Sequence, residues 1–171
     1  MKKINFLLAF VIGCNLALAQ SGQQDKLTWL SDVNKAYDLS KATRKPIFAF
    51  FTGSDWCGWC HKLQREVFSK PEFQKWANDK VVLLELDFPR NKELPAETVQ
   101  QNQSLQQFFQ VTGFPTIWLF NLSKDDATKR FVVTPLGSLG YPRNPEAGKE
   151  EVKFLTEANL VLSKSPKQEG K

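Results

Sequence analysis

Apolar residues recur along this chain with two different periods, and the alternation between them predicts an α/β fold. Leu30, Val33, Ala36, Tyr37 and Ala42 fall at helical spacing, which predicts a first helix over 31–44 with Ser31 or Thr28 near its start. Pro46 ends it. Residues 47–51 are a continuous apolar run, the pattern of a strand covered on both faces. Thr52-Gly53-Ser54-Asp55 then loosens the chain, and a helix is expected to begin at Cys57 with Cys60, Leu63 and Val67 on one face. That pattern breaks at Ser69-Lys70-Pro71-Glu72. Ser69 and Glu72 read as a capping box, Pro71 as a first-turn residue, and Phe68 and Phe73 as a hydrophobic staple, so a kink or second start is expected at Ser69.

Residues 81–88 predict the next buried strand. The polar stretch 89–103 holds Pro95 and lacks a period, so it reads as a surface loop with room for one helical turn. Leu105, Phe108 and Phe109 predict a short helix that stops by Gly113 and Pro115. A strand over 116–121, a charged turn over 122–129 and a strand over 130–134 make a hairpin. In the last helix Asn144 is the expected N-cap, Pro145 the first helical residue, and Val152, Leu155, Ala158 and Leu162 the apolar face. Trp76 and Trp118 read as core.

The ends of the chain are set apart from this pattern. Lys2 and Lys3, the mostly apolar residues 4–13 and Ala17-Leu18-Ala19 form a secretory leader over 1–19. Its apolar run of about ten residues is too short to span a bilayer, which takes roughly 20. An alternative lies within it: Val11-Ile12-Gly13-Cys14 resembles a lipobox, in which Cys14 would be acylated and become the new N-terminus. Either way the product is exported, to a periplasm or comparable compartment, and it meets a membrane only if Cys14 is lipidated. Residues 20–27 read as a linker, 28–162 as one folded domain and 163–171 as a polar tail.

Composition narrows the chemistry. With 42% hydrophobic and 24% charged residues, the chain is neither a coiled coil nor wholly disordered. It has three Cys, one His and one Met, which is Met1, so a two-metal or His-rich centre cannot be assembled. The formal charge of +5 falls to +3 once Lys2 and Lys3 leave with the leader, and the remaining charges are mixed. No nucleic-acid partner is expected.

Loss of the leader leaves Cys57 and Cys60 in a compartment where disulfides persist. A loop this short restricts the unfolded chain too little to act as a staple. The pair reads instead as reactive. Cys57 at a helix start meets unpaired amide protons that favour its thiolate, while Cys60 stands one turn on along the buried face, placed to resolve a mixed disulfide.

Trp56-Cys57-Gly58-Trp59-Cys60-His61, together with Gly113-Phe114-Pro115-Thr116, resembles the two active-site segments of the thioredoxin superfamily, and in particular the exported thioredoxin-like domains related to the C-terminal domain of DsbD. That resemblance implies a thioredoxin fold, a central mixed sheet flanked by helices. It implies a thiol–disulfide oxidoreductase that reduces protein disulfides, needs no cofactor, is re-reduced by an upstream redox partner and acts as a monomer. It also implies that the Phe114–Pro115 bond is cis, that its loop lies against Cys57, and that the backbone there pairs with an extended substrate segment. Trp56 and Trp59 would form an apolar rim, and a protonated His61 would favour the Cys57 thiolate.

Three departures stand out. The acidic residue expected six positions before the first Cys is Phe51, leaving water, Asp55 or Glu85 to take the Cys60 proton. Gly58-Trp59 replaces Gly-Pro. The stretch after Asp87 is longer than in a minimal thioredoxin, as either a substrate-facing loop or a surface insertion. Other readings remain beside this one. Cys57-x-x-Cys60-His61 is also a c-type haem attachment signature, although no further His or Met outside the leader supplies a sixth ligand. A metal held by Cys57, Cys60 and His61 would need a carboxylate as fourth ligand. A binding or chaperone-like module could use the same groove without turnover.

Overall fold

The computed structural model describes residues 27–164; the leader, the Cys14 alternative and the end of the tail lie outside them. Ten segments follow in order: helix α1 (Val33–Thr43), strand β1 (Ile47–Thr52), helix α2 (Gly58–Leu63) running into a π-helical turn (Gln64–Phe68), α3 (Pro71–Lys80), β2 (Val82–Asp87), α4 (Ala96–Phe108), β3 (Thr116–Lys124), β4 (Phe131–Leu139) and α5 (Glu150–Leu162). The sheet runs β2-β1-β3-β4, with β1 parallel to β2 and antiparallel to β3. Leu30 adds a short bridge to Leu84 beyond β2. This is the α/β fold that the pattern predicts, with the mixed sheet flanked by helices that the resemblance implies. No helix among the described residues is long and apolar enough to cross a membrane.

All six β1 side chains are buried, because helices cover both of its faces. Phe48 and Phe50 point into one core with Leu63, Phe68, Phe73, Trp76 and Phe154, which joins α2, α3 and α5 to the sheet. Ala49 and Phe51 point into the other, with Tyr37 of α1 and Phe109 beyond α4. Trp76 is core as expected, and its indole N–H donates to Asn159 Oδ1 at 2.8 Å. Trp118 is partly buried and stacks on Phe109.

Several element ends differ from expectation. Asp32, not Ser31 or Thr28, caps α1, its Oδ1 accepting the Asn34 amide at 2.7 Å. The staple forms, with Phe68 and Phe73 stacked at 4.6 Å, but the capping box does not. The π-helical turn takes both of its donors: Ser69 N–H bonds Gln64 O at 2.8 Å and Ser69 Oγ bonds Arg65 O at 2.7 Å. β4 continues five residues past Thr134 through Pro135, which an edge strand tolerates at the irregularity opposite Leu119 and Phe120. α5 begins six residues later than Asn144, since Asn144 (φ 49°) and Gly148 (φ 76°) are left-handed. Its buried face is Phe154, Ala158 and Val161, and Val152 is 60% exposed.

The largest correction is α4. Residues 89–103 read as a surface loop with room for one helical turn, followed by a short helix at Leu105, Phe108 and Phe109, yet one continuous helix of thirteen residues runs from Ala96. Apart from Leu105, which packs on the second core, the contacts of this helix are made largely by amides. Asn102, 2% exposed, donates to Asp87 O at 2.9 Å, while Gln101 accepts the Val33 amide at 2.8 Å and donates to Ser31 O at 2.9 Å. Hydrophobic periodicity cannot register such a face. Replacing Asn102 by Ala should therefore cost about 1–3 kcal/mol, the scale for a lost buried polar pairing. Exposed Val99→Ala should change stability by no more than about 0.5 kcal/mol. Urea unfolding of both variants checks the difference.

Candidate active site

The site begins where β1 loses its cover. Gly53 is required there, since a Cβ would lie 2.3 Å from the Trp56 ring. Trp56 settles over it, donates its indole N–H to Phe88 O at 2.8 Å, and has the Arg90 guanidinium 3.9 Å from its ring centroid. Asp55 accepts the backbone amides of Arg90 and Asn91 at 2.6–3.1 Å. These bonds, the Arg90 amide foremost, hold its carboxyl below the usual range. The stretch after Asp87 is thus neither free loop nor plain insertion: it wraps the turn that carries Trp56.

Asp87 ties this turn to the end of β2. Its carboxylate accepts the Ser54 amide at 2.8 Å and the Ser54 hydroxyl at 2.7 Å, and pairs with Lys92 at 2.7 Å. Burial alone would push Asp87 up, but Lys92 and the Ser54 donors outweigh it and hold the carboxyl below its usual range.

Cys57 then caps α2 and is joined to Cys60 in a disulfide. The Cys60 amide donates to Cys57 Sγ at 3.2 Å. Cys57 keeps 5% of its surface exposed and Cys60 none, so what solvent access the pair has is on the Cys57 side. The Phe114–Pro115 bond is cis, and Phe114 lies 5.9 Å from Trp56 and stacks on Phe88 at 5.1 Å, which brings that loop beside the residue preceding Cys57.

Trp59, 57% exposed between the cysteines, stands edge-on to Tyr141 at 5.2 Å. The Tyr141 hydroxyl donates to Glu66. Burial and that bond push the phenol up to about 12. Lys62 Nζ sits 5.0 Å from the Trp59 ring and 4.9 Å from the Tyr141 ring. His61 is exposed, and its hydrogen bond goes to Ser54 O at 2.8 Å rather than to a sulfur. The imidazole therefore braces the turn, unlike the free axial ligand that the haem alternative requires.

Of the three proton acceptors considered for Cys60, Asp55 is spent on backbone amides. Phe51 lies in the core on the far side of the sheet, and the β1 residues that share a cluster with Cys57 and Cys60 are Phe48 and Phe50. The register partner of Phe50 is Glu85, so Glu85 points to the same face as the cysteines. Burial, then the neighbouring Asp87 charge, raises its pKa. On that face too, Thr52 holds a buried hydroxyl without a hydrogen-bond partner.

Residues 33–134 match the family model described as a thioredoxin-like domain. This chain belongs to the thioredoxin-like family. It is 40% identical over 129 residues to disulfide bond reductase DsbH of Chlamydia pneumoniae, covering 75% of this chain and 76% of that one. Thioredoxin-related protein DsbJ of the same organism is 28% identical over 168 residues, 96% of this chain and 46% of the relative. The solved structure of a DsbH oxidoreductase superposes with a TM-score of 0.67 at 30% identity, over 88% of this chain and 94% of the other.

Within this thioredoxin-like site, sequence reasoning missed Asp87, Arg90, Glu66 and Tyr141. Lys62 and Glu66 stand four apart and form a readable helix pair. The others approach from distant segments and leave no local signal. The Asp87 tie generates a pH dependence. Its lowered pKa adds stability that is present above the ordinary carboxyl value of about 3.9 and is lost as pH falls through the lower folded value. Urea-unfolding stability should thus drop more steeply below about pH 4 in the wild type than in Asp87→Asn. Parallel curves would show that the charge contributes nothing.

Proposed function

We propose that this protein is a thiol–disulfide oxidoreductase of the cell envelope that reduces protein disulfides. One observation carries the reading: a disulfide at a helix start in which Cys57 keeps 5% of its surface exposed while its partner Cys60 is fully buried. The reduced form attacks through the Cys57 thiolate, which displaces one substrate sulfur as thiolate and forms a mixed disulfide. Cys60 then gives up its proton and attacks Cys57 Sγ, releasing the second substrate sulfur. The substrate gains two electrons and two protons, and Cys57 and Cys60 become the disulfide, which an upstream dithiol partner must reduce.

The name of the DsbH relative supports the reductive direction, and the leader read over residues 1–19 supports export. Trp56, Trp59, Phe114 and cis-Pro115 line the groove in which an extended substrate strand is held. A Cys60→Ser variant should accumulate covalently trapped partners in its native compartment and a Cys57→Ser variant should not. A reduction potential near thioredoxin's, about −270 mV, completes the expectation for a reductase, whereas one near −120 mV would mark an oxidase. If neither variant traps anything, a binding module without turnover is the better description.

Glu85 accepts the proton from Cys60. Two observations support this: Glu85 shares the cysteine face of the sheet, and burial raises its pKa, which makes its carboxylate a stronger base than an exposed one. Asp87 and Lys92 are the charges that tune it. Glu85→Gln should slow resolution of a preformed mixed disulfide by roughly 10²-fold, the low end for general acid–base catalysis, and remove the acid limb of its pH profile. Alkylation of Cys57 should keep its rate. An unchanged resolution profile would assign the proton to solvent.

A further inference from the structure

The two tryptophans that flank Cys57 in sequence and space each carry a cation of this protein. The Arg90 guanidinium lies over Trp56, and Lys62 lies over both Trp59 and Tyr141. The nearby carboxylates are turned to structural work instead. Asp55 accepts backbone amides, Asp87 accepts Ser54 and Lys92, and Glu66 takes the Tyr141 hydroxyl, with Arg65 at 3.3 Å and Lys62 at 4.0 Å. Among the described residues the Arg90 guanidinium has no ion pair. Glu93, the next acid along, belongs to the hollow lined by Phe88, Leu94 and Val99 rather than to either ring.

Trp56 adjoins Cys57 and Trp59, 57% exposed, stands between the cysteines, so a peptide that brings its cysteine to Cys57 comes up against these rings. An aromatic face attracts cations, but here both faces already hold one. A basic residue beside the substrate cysteine would therefore find its receptor taken and a like charge waiting. An acidic residue would find Arg90 on one side or Lys62 on the other. We infer that the rim selects protein disulfides whose cysteine is flanked by acidic side chains. This names the substrate class of the oxidoreductase proposed above and rests on that reading.

The test uses two peptide disulfides, identical except for Glu or Lys on either side of the cysteine, and bis(2-hydroxyethyl) disulfide as a small uncharged probe. Each exposed charge contact changes a rate by roughly two- to fivefold, so kcat/KM should favour the Glu peptide by about tenfold at low ionic strength. The preference should shrink toward equality near 1 M salt, where the screening length is about 3 Å. Replacing both cations, with Lys62→Gln and Arg90→Gln, should abolish the preference. Wild-type protein that reduces the small probe but treats the peptides alike, or favours Lys, overturns the inference. A preference that persists in the double variant also overturns it. Failure to reduce any of the three disulfides instead overturns the oxidoreductase reading.

Discussion

Asp87 ends β2 with a carboxylate that takes both donors of Ser54 and the Lys92 ammonium, and the arrangement around the cysteines hangs from this node. Ser54 lies in the turn between the buried strand and α2, so anchoring it sets where Cys57 begins its helix. The carbonyl of Asp87 receives Asn102, which brings α4 to the same point. The Phe88 amide bonds Thr52 O and the Phe88 carbonyl takes the Trp56 indole, so the chain that leaves β2 recloses the sheet edge opened after β1. An isolated charge at this depth would be unfavourable. Two donors and a facing cation make it a fixed point instead.

Much of the fold was legible because apolar burial dictates it. The run Ile47-Phe48-Ala49-Phe50-Phe51 can only be a strand covered twice, and Phe68, Pro71 and Phe73 marked the break before α3. The cysteine pair was legible for the opposite reason: so few reactive side chains remain that Cys57, Cys60 and His61 had to be read together. What escaped is polar. α4 docks by Asn102 and Gln101, and polar residues without a period read as loop. The Ser69 capping box was spelled correctly, but its donors were claimed by a π-helical turn that no local pattern announces. Asn144 looked like a cap only until Gly148, left-handed four residues later, postponed the helix.

The site shows the same division. Spacing along α2 placed Trp59 and Lys62 near one another, but nothing near Trp59 in sequence pointed to Tyr141, which arrives after β4. Arg90 and Trp56 are likewise 34 positions apart and meet because the stretch after β2 folds back. Counting six residues back from Cys57 led to Phe51, yet the sheet turns Phe51 away and sets Phe50 beside the cysteines. Side-chain alternation in a strand, not distance in sequence, decides which neighbour faces a sulfur.

The π-helical turn that closes α2 has a further meaning for how this segment can vary. Its bond from Ser69 N–H to Gln64 O spans five residues, one more than the α-helical interval. Deleting a single residue there would restore regular helical pairing, but would swing everything beyond by about 100° around the axis. Phe68 would leave its stack on Phe73, and Glu66 would no longer meet Tyr141. The helix capped by Cys57 therefore has a fixed phase, and the surplus residue is what lets one stretch of chain set its cysteine pair at the helix start and its phenylalanine against Phe73.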